Sequence, residues 1–232
     1  MNKVLYIIIF LSFNCVQAQF RFPDLDYIEI MSSNLNGGFG YSKSLSFEII
    51  NKNCSELKNC YEYEDPTILI GKLVIEDNSI IEFHYTEAPS DDPTFIAVKN
   101  GKVVLEASGN ILHLKGKILY IEGIGNSYFN KKRKFSFIDN LFKEVNQPFY
   151  DISVKGTLNF PIDIYESESF SNRVASLPKG YQIEIVLGKT GGEYDDLETI
   201  LIKSEFGLIG WFNFKDISFG EQLIDGFYFH GD

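Results

Sequence analysis

No stretch of about twelve residues or more in this chain repeats its apolar side chains with a helical period. The chain is divided instead into short runs rich in Ile, Val, Phe and Tyr. Clusters of Gly, Asn, Asp, Ser and Pro separate them at intervals of roughly 8–12 residues. β-branched and aromatic side chains fit a pleated, half-buried surface, and turn residues at that spacing give an all-β class. With 21 Phe and 13 Tyr among 232 residues, the apolar volume suffices for packed cores.

From Tyr27 onward the expected strands are Tyr27–Met31, Leu45–Ile50, Thr67–Ile75, Ser79–Tyr85, Phe95–Val98, Val103–Glu106, Ile111–Leu114, Ile118–Glu122 and Phe135–Ile138. Asn100-Gly101 is the strongest hairpin signal, because both residues tolerate positive φ. Residues 139–146 allow one helical turn at most. The pattern predicts an antiparallel meander, sandwich or barrel-like, over residues 19–147, with a loose suggestion of two four-stranded units, 27–85 and 95–138. Pro148, which lacks an amide donor, marks the boundary to a second domain, 148–232.

Residues 1–18 read as a secretory signal. Lys3 supplies the positive start, Val4–Phe13 the apolar run and Val16-Gln17-Ala18 the cleavage pattern, with cutting expected after Ala18. The run is too short to span a bilayer. Ser12-Phe13-Asn14 lacks the small residues that accompany lipidation, so Cys15 is expected to be unmodified. The expected location is periplasmic or extracellular. The full chain carries a formal charge of −11, and removal of Lys3 with the signal makes it −12. So acidic a chain repels phosphate backbones and anionic headgroups, which argues against nucleic acid and bilayer surfaces as partners.

Cys54 and Cys60 remain after cleavage. In an oxidising compartment they are expected to form a disulfide contributing roughly 2 kcal/mol. Zinc is the alternative, weakened by a C-x5-C spacing with no second pair or neighbouring His. No metal or cofactor is expected. Lys131-Lys132-Arg133-Lys134 reads as a solvated turn. His84 and His113 read as strand residues without chemistry, and the acidic groups Glu62, Glu64, Asp65 and Asp91-Asp92 lack the order of a calcium loop. No G-x-S-x-G, H-E-x-x-H or phosphate loop is present.

In the second domain, Ile162–Tyr165 alternates as a strand and a polar excursion, Glu166–Arg173, follows. Val174, Leu177, Lys179 and Gly180 then lead into Tyr181–Leu187. Next come a Gly188–Asp196 loop, Glu198–Lys203, a turn at Gly207, a strand beginning Gly210-Trp211, and a short last strand, Ile217–Phe219. This order resembles bacterial SH3-like (SH3b) domains, with their "V-x-x-L-x-K-G" stretch and Gly-Trp hairpin, over about sixty residues. It departs from them at Ile162–Tyr165, at Glu198-Thr199-Ile200 and in the long Gly188–Asp196 loop. Gly180 and Gly207 fit turns of positive φ, and Gly210 fits close backbone approach. Trp211 is suited either to the core or to a groove. The aromatic tail Gly226–His230 is expected to pack back as an extra strand.

The resemblance implies a small β-barrel with an aromatic groove of Tyr165, Phe170, Tyr194 and Trp211 for peptide or glycan. It points to a non-catalytic exported binding protein whose ligand is cell-wall peptidoglycan, a peptide or a protein. The alternatives are an inhibitor or immunity-type protein steered by its charge to a basic partner, and a hydrolase with its site in the N-terminal domain.

Overall fold

The computed structural model describes residues 21–31, 37–61, 63, 66–76, 78–87, 93–191, 196–218 and 220–231. The expected signal segment and Cys15 lie outside them. The first eleven strands are β1 (Leu25–Glu29), β2 (Gly38–Ser42), β3 (Phe47–Asn53), β4 (Thr67–Val74), β5 (Ile80–Thr86), β6 (Thr94–Lys99), β7 (Lys102–Ser108), β8 (Ile111–Lys115), β9 (Ile118–Gly123), β10 (Lys131–Ile138) and β11 (Leu141–Glu144). The remaining six are β12 (Tyr150–Thr157), β13 (Ile162–Tyr165), β14 (Arg173–Leu177), β15 (Gln182–Gly191), β16 (Asp196–Ser204) and β17 (Ile209–Asn213). Helical geometry among the described residues is confined to 3-10 turns at Cys54–Glu56 and Phe214–Asp216. The chain is all-β, and no described helix is long and apolar enough to cross a membrane.

The first eleven strands form two sheets, β1-β2-β8-β9-β10-β11 and the meander β3-β4-β5-β6-β7. Alternate residues such as Ile81, Phe83 and Tyr85 of β5 face Phe39, Leu112, Leu119 and Phe142 of the other sheet. Ring contacts Phe39–Phe83 (5.5 Å) and Phe83–Phe142 (6.3 Å) cross the gap, so the arrangement is a sandwich over one core. Chain order is not sheet order. After β2 the chain builds the whole meander and then returns as β8, which lies parallel to β2 with Phe39 opposite Leu112. The suggested four-stranded units do not form, because β6 pairs onto β5. At the β6–β7 hairpin Asn100 has φ 52° and Gly101 φ 73°, as a two-residue turn with both φ positive requires.

Two segments correct the sequence reading. Lys131–Lys134 is not a turn but the start of β10, and residues 141–144 are strand rather than helix. Arg133 sits opposite Ile121 on the core side and donates to the Ser108 carbonyl, while Val145 N–H bonds back to the Lys134 carbonyl at 2.7 Å. The Arg133 guanidinium is compensated by the Ser108 carbonyl and by the Glu144 carboxylate 3.9 Å away, and Lys132 faces Asp151 at 3.8 Å.

The last six strands form one sheet, β12-β15-β16-β17-β13-β14. The expected barrel does not close among the described residues, because β12 takes the free edge of β15 and β14 ends the other side. Ile217 and Ser218, expected to open a last strand, are not in a strand but follow the 3-10 turn Phe214–Asp216, and residue 219 lies outside the described residues. The tail packs back through two isolated bridges, Leu158–Ile224 and Ser127–His230, rather than as a strand. Ile164, Ile185, Ile200, Ile202, Ile224 and Phe227 fill this second core, together with Phe129 from before Pro148.

Candidate functional site

The sheet of the last six strands buries one face and leaves an aromatic row on the other. Along β17, Gly210 and Phe212 face the core, so alternation turns Trp211 outward, where it is half-buried. Directly opposite it on β13 stands Tyr165, and on β16 Leu201. Cross-strand partners share a face, so these three side chains are neighbours. Gly210 permits the pairing: a Cβ there would lie 2.9 Å from Ile164 Cβ and 3.0 Å from the Tyr165 carbonyl. Gly180 (φ 83°) and Gly207 (φ 97°) occupy the expected turns.

The row extends at both ends. Phe149, just before β12, packs on Trp211 with ring centroids 5.4 Å apart, and Phe170 meets Tyr165 edge to face at 5.8 Å. Phe170 has φ 52°, a left-handed conformation that costs a bulky residue roughly 1–3 kcal/mol. The loop around it is tied by Glu166 N–H to the Asn172 carbonyl (2.9 Å), Phe170 N–H to the Ser167 carbonyl (3.1 Å), and a Ser167–Ser169–Ser171 hydroxyl chain. These bonds hold a half-buried aromatic side chain at a fixed place.

Three of the four residues expected to form a groove, Tyr165, Phe170 and Trp211, thus lie together; Tyr194 lies outside the described residues. Phe149 was missed, since no local pattern links it to a strand sixty residues away. Ion pairs flank the row, Lys189–Glu168 at 2.7 Å and Arg173–Asp163 at 3.2 Å.

Elsewhere, His113 is buried on the outer face of the first sheet. Its Nδ1 lies 2.9 Å from the Tyr27 hydroxyl and its Nε2 3.6 Å from Glu122. It borders a cavity of about 400 Å³ walled by Phe22, Tyr120, Val145 and Gln147. Lys131 lies over the Tyr150 ring at 4.7 Å, and burial pushes its pKa down to about 8. Cys54 and Cys60 are joined as a disulfide, as expected. His84, fully buried on β5, places Nδ1 3.8 Å from Cys54 Sγ. Burial depresses its pKa to about 4, partly offset by the Glu82 carboxylate. The acidic groups Glu62, Glu64, Asp65, Asp91 and Asp92 lie outside the described residues. No protein-family model matches this chain, and no curated protein or solved structure does either.

Proposed function

We propose that this is a non-catalytic exported binding protein whose C-terminal SH3-like module holds a cell-wall glycan or peptide along Phe149, Trp211, Tyr165 and Phe170. The observation that carries the reading is the continuity of that row: half-buried rings side by side on the outer face of a hydrogen-bonded sheet, with Phe170 held in a strained conformation at one end. Rigid aromatic side chains give large contact area at low entropic cost. The disulfide is compatible with an oxidising compartment. No cofactor enters this reading.

The test is co-sedimentation of residues 19–232 with purified peptidoglycan sacculi, beside Trp211→Ala shown by circular dichroism to be folded. Wild type is expected to pellet, and the variant to lose about tenfold in affinity, the scale of one hot-spot side chain. Failure of both to pellet would remove the wall ligand and direct the search to a protein partner.

A further inference from the structure

The disulfide accounts for Cys54 and Cys60, but not for the imidazole beside them. Asn53 ends β3 and caps the 3-10 turn, its side chain accepting from Ser55 N–H at 3.0 Å, and the turn brings Cys54 back against β4 and β5. His84 arrives from β5, where it pairs with Leu69, thirty residues along the chain from Cys54. The two sulfurs and the imidazole nitrogen all lie within 4.8 Å of one another. Ligand atoms about 2.0–2.3 Å from a shared metal stand roughly 3.5–4 Å apart. The Cys54 Sγ–His84 Nδ1 pair, at 3.8 Å, already has that separation.

A second, independent observation is the far side of the ring. His84 is wholly buried, yet its Nε2 has no hydrogen-bond partner and lies 3.7 Å from Glu82 Oε2. A leucine or phenylalanine would fill the same space without leaving an orphaned nitrogen. Ligation through Nδ1 places the proton on Nε2, facing the Glu82 carboxylate, which is the usual outer-shell arrangement of a metal-bound histidine. Glu82 is itself paired with Lys72 at 2.7 Å, and the Tyr61 ring closes the site from the side at 5.9 Å.

We propose that the dithiol form of this corner is a three-ligand site for a soft d10 cation, Cu+ or Zn2+, held by Cys54 Sγ, Cys60 Sγ and His84 Nδ1. Two thiolates and one imidazole select such ions over hard cations. The dithiol arises by exchange with an external dithiol reductant. That molecule becomes a disulfide as Cys54 and Cys60 take up two electrons and two protons, and metal binding then releases the two thiol protons. The disulfide is the metal-free state of the same site.

The experiment reduces the purified protein with a phosphine under anoxia. Zn2+ and Cu+ are added in separate arms, and the metal retained after desalting is counted. About one equivalent of one ion is expected on reduced wild type, identifying that ion, with none on the oxidised protein. His84→Phe, checked for folding by circular dichroism, should lose at least tenfold in affinity. X-ray absorption of the loaded wild type should show two sulfur neighbours and one nitrogen, a readout independent of any variant. Retention of neither ion by reduced wild type would overturn the proposal. So would undiminished retention by His84→Phe, or a shell without nitrogen.

Discussion

His84 shows how far one side chain's chemistry depends on what lies across the sheet. Its ordinary pKa of 6.5 falls to about 4 because burial penalises the imidazolium, with Glu82 opposing that shift and Lys72 adding to it. The folded value lies below the unfolded one, so acid protonates the unfolded chain first. Above about pH 6.5 the group contributes nothing to pH dependence. Between 6.5 and 4 it removes stability progressively, by up to about 3 kcal/mol. Urea midpoints at pH 7 and pH 4.5 check this, and the drop in wild type is expected to exceed that in His84→Phe.

At the scale of elements, local pattern and observed strands agree where the pattern is strong. β4 through β9 lie within a residue or two of the expected runs, since alternating apolar residues between turn formers leave little other choice. Agreement ends where a strand's partners are remote. Gly38–Ser42 has two glycines, which weaken a strand, and only Phe39 and Tyr41 to bury, yet becomes β2 because β1 and β8 flank it and bury Phe39. The basic run becomes β10 for a like reason. Gly210 decides whether β17 can lie against β13. Gly210→Ala would force its Cβ against Ile164 and is expected to cost about 1–3 kcal/mol, the range for overpacking. It should also weaken sacculus binding as Tyr165 moves from Trp211. Thermal melts and the pelleting assay read the two effects separately.

Across the whole molecule, the packing does not divide where the proline does. Phe129 precedes Pro148 but is buried in the second core, 6.1 Å ring to ring from Tyr150, and Tyr128 packs edge to face on Phe214 at 4.9 Å. The tail closes over the same place through the Ser127–His230 bridge. Phe129→Ala is therefore expected to destabilise the C-terminal six-stranded sheet, by about 3–5 kcal/mol, from the N-terminal side of the boundary. Trp211, the sole tryptophan and part of that sheet, reports the shift as a lower denaturant midpoint in its fluorescence.

What the sequence by itself determined is local: the all-β class, most strand positions, the positive-φ turns at Gly101, Gly180 and Gly207, and the cysteine pairing within one short loop. Each follows from side-chain period or backbone sterics acting over a few residues. The tertiary structure alone decided the parallel return of β8, the outward face of Trp211 with Phe149 upon it, and the meeting of His84 with the cysteines. Those contacts join residues 24 to 73 positions apart. They are selected by which arrangement buries the most apolar surface over both cores, a balance that no short stretch of chain contains.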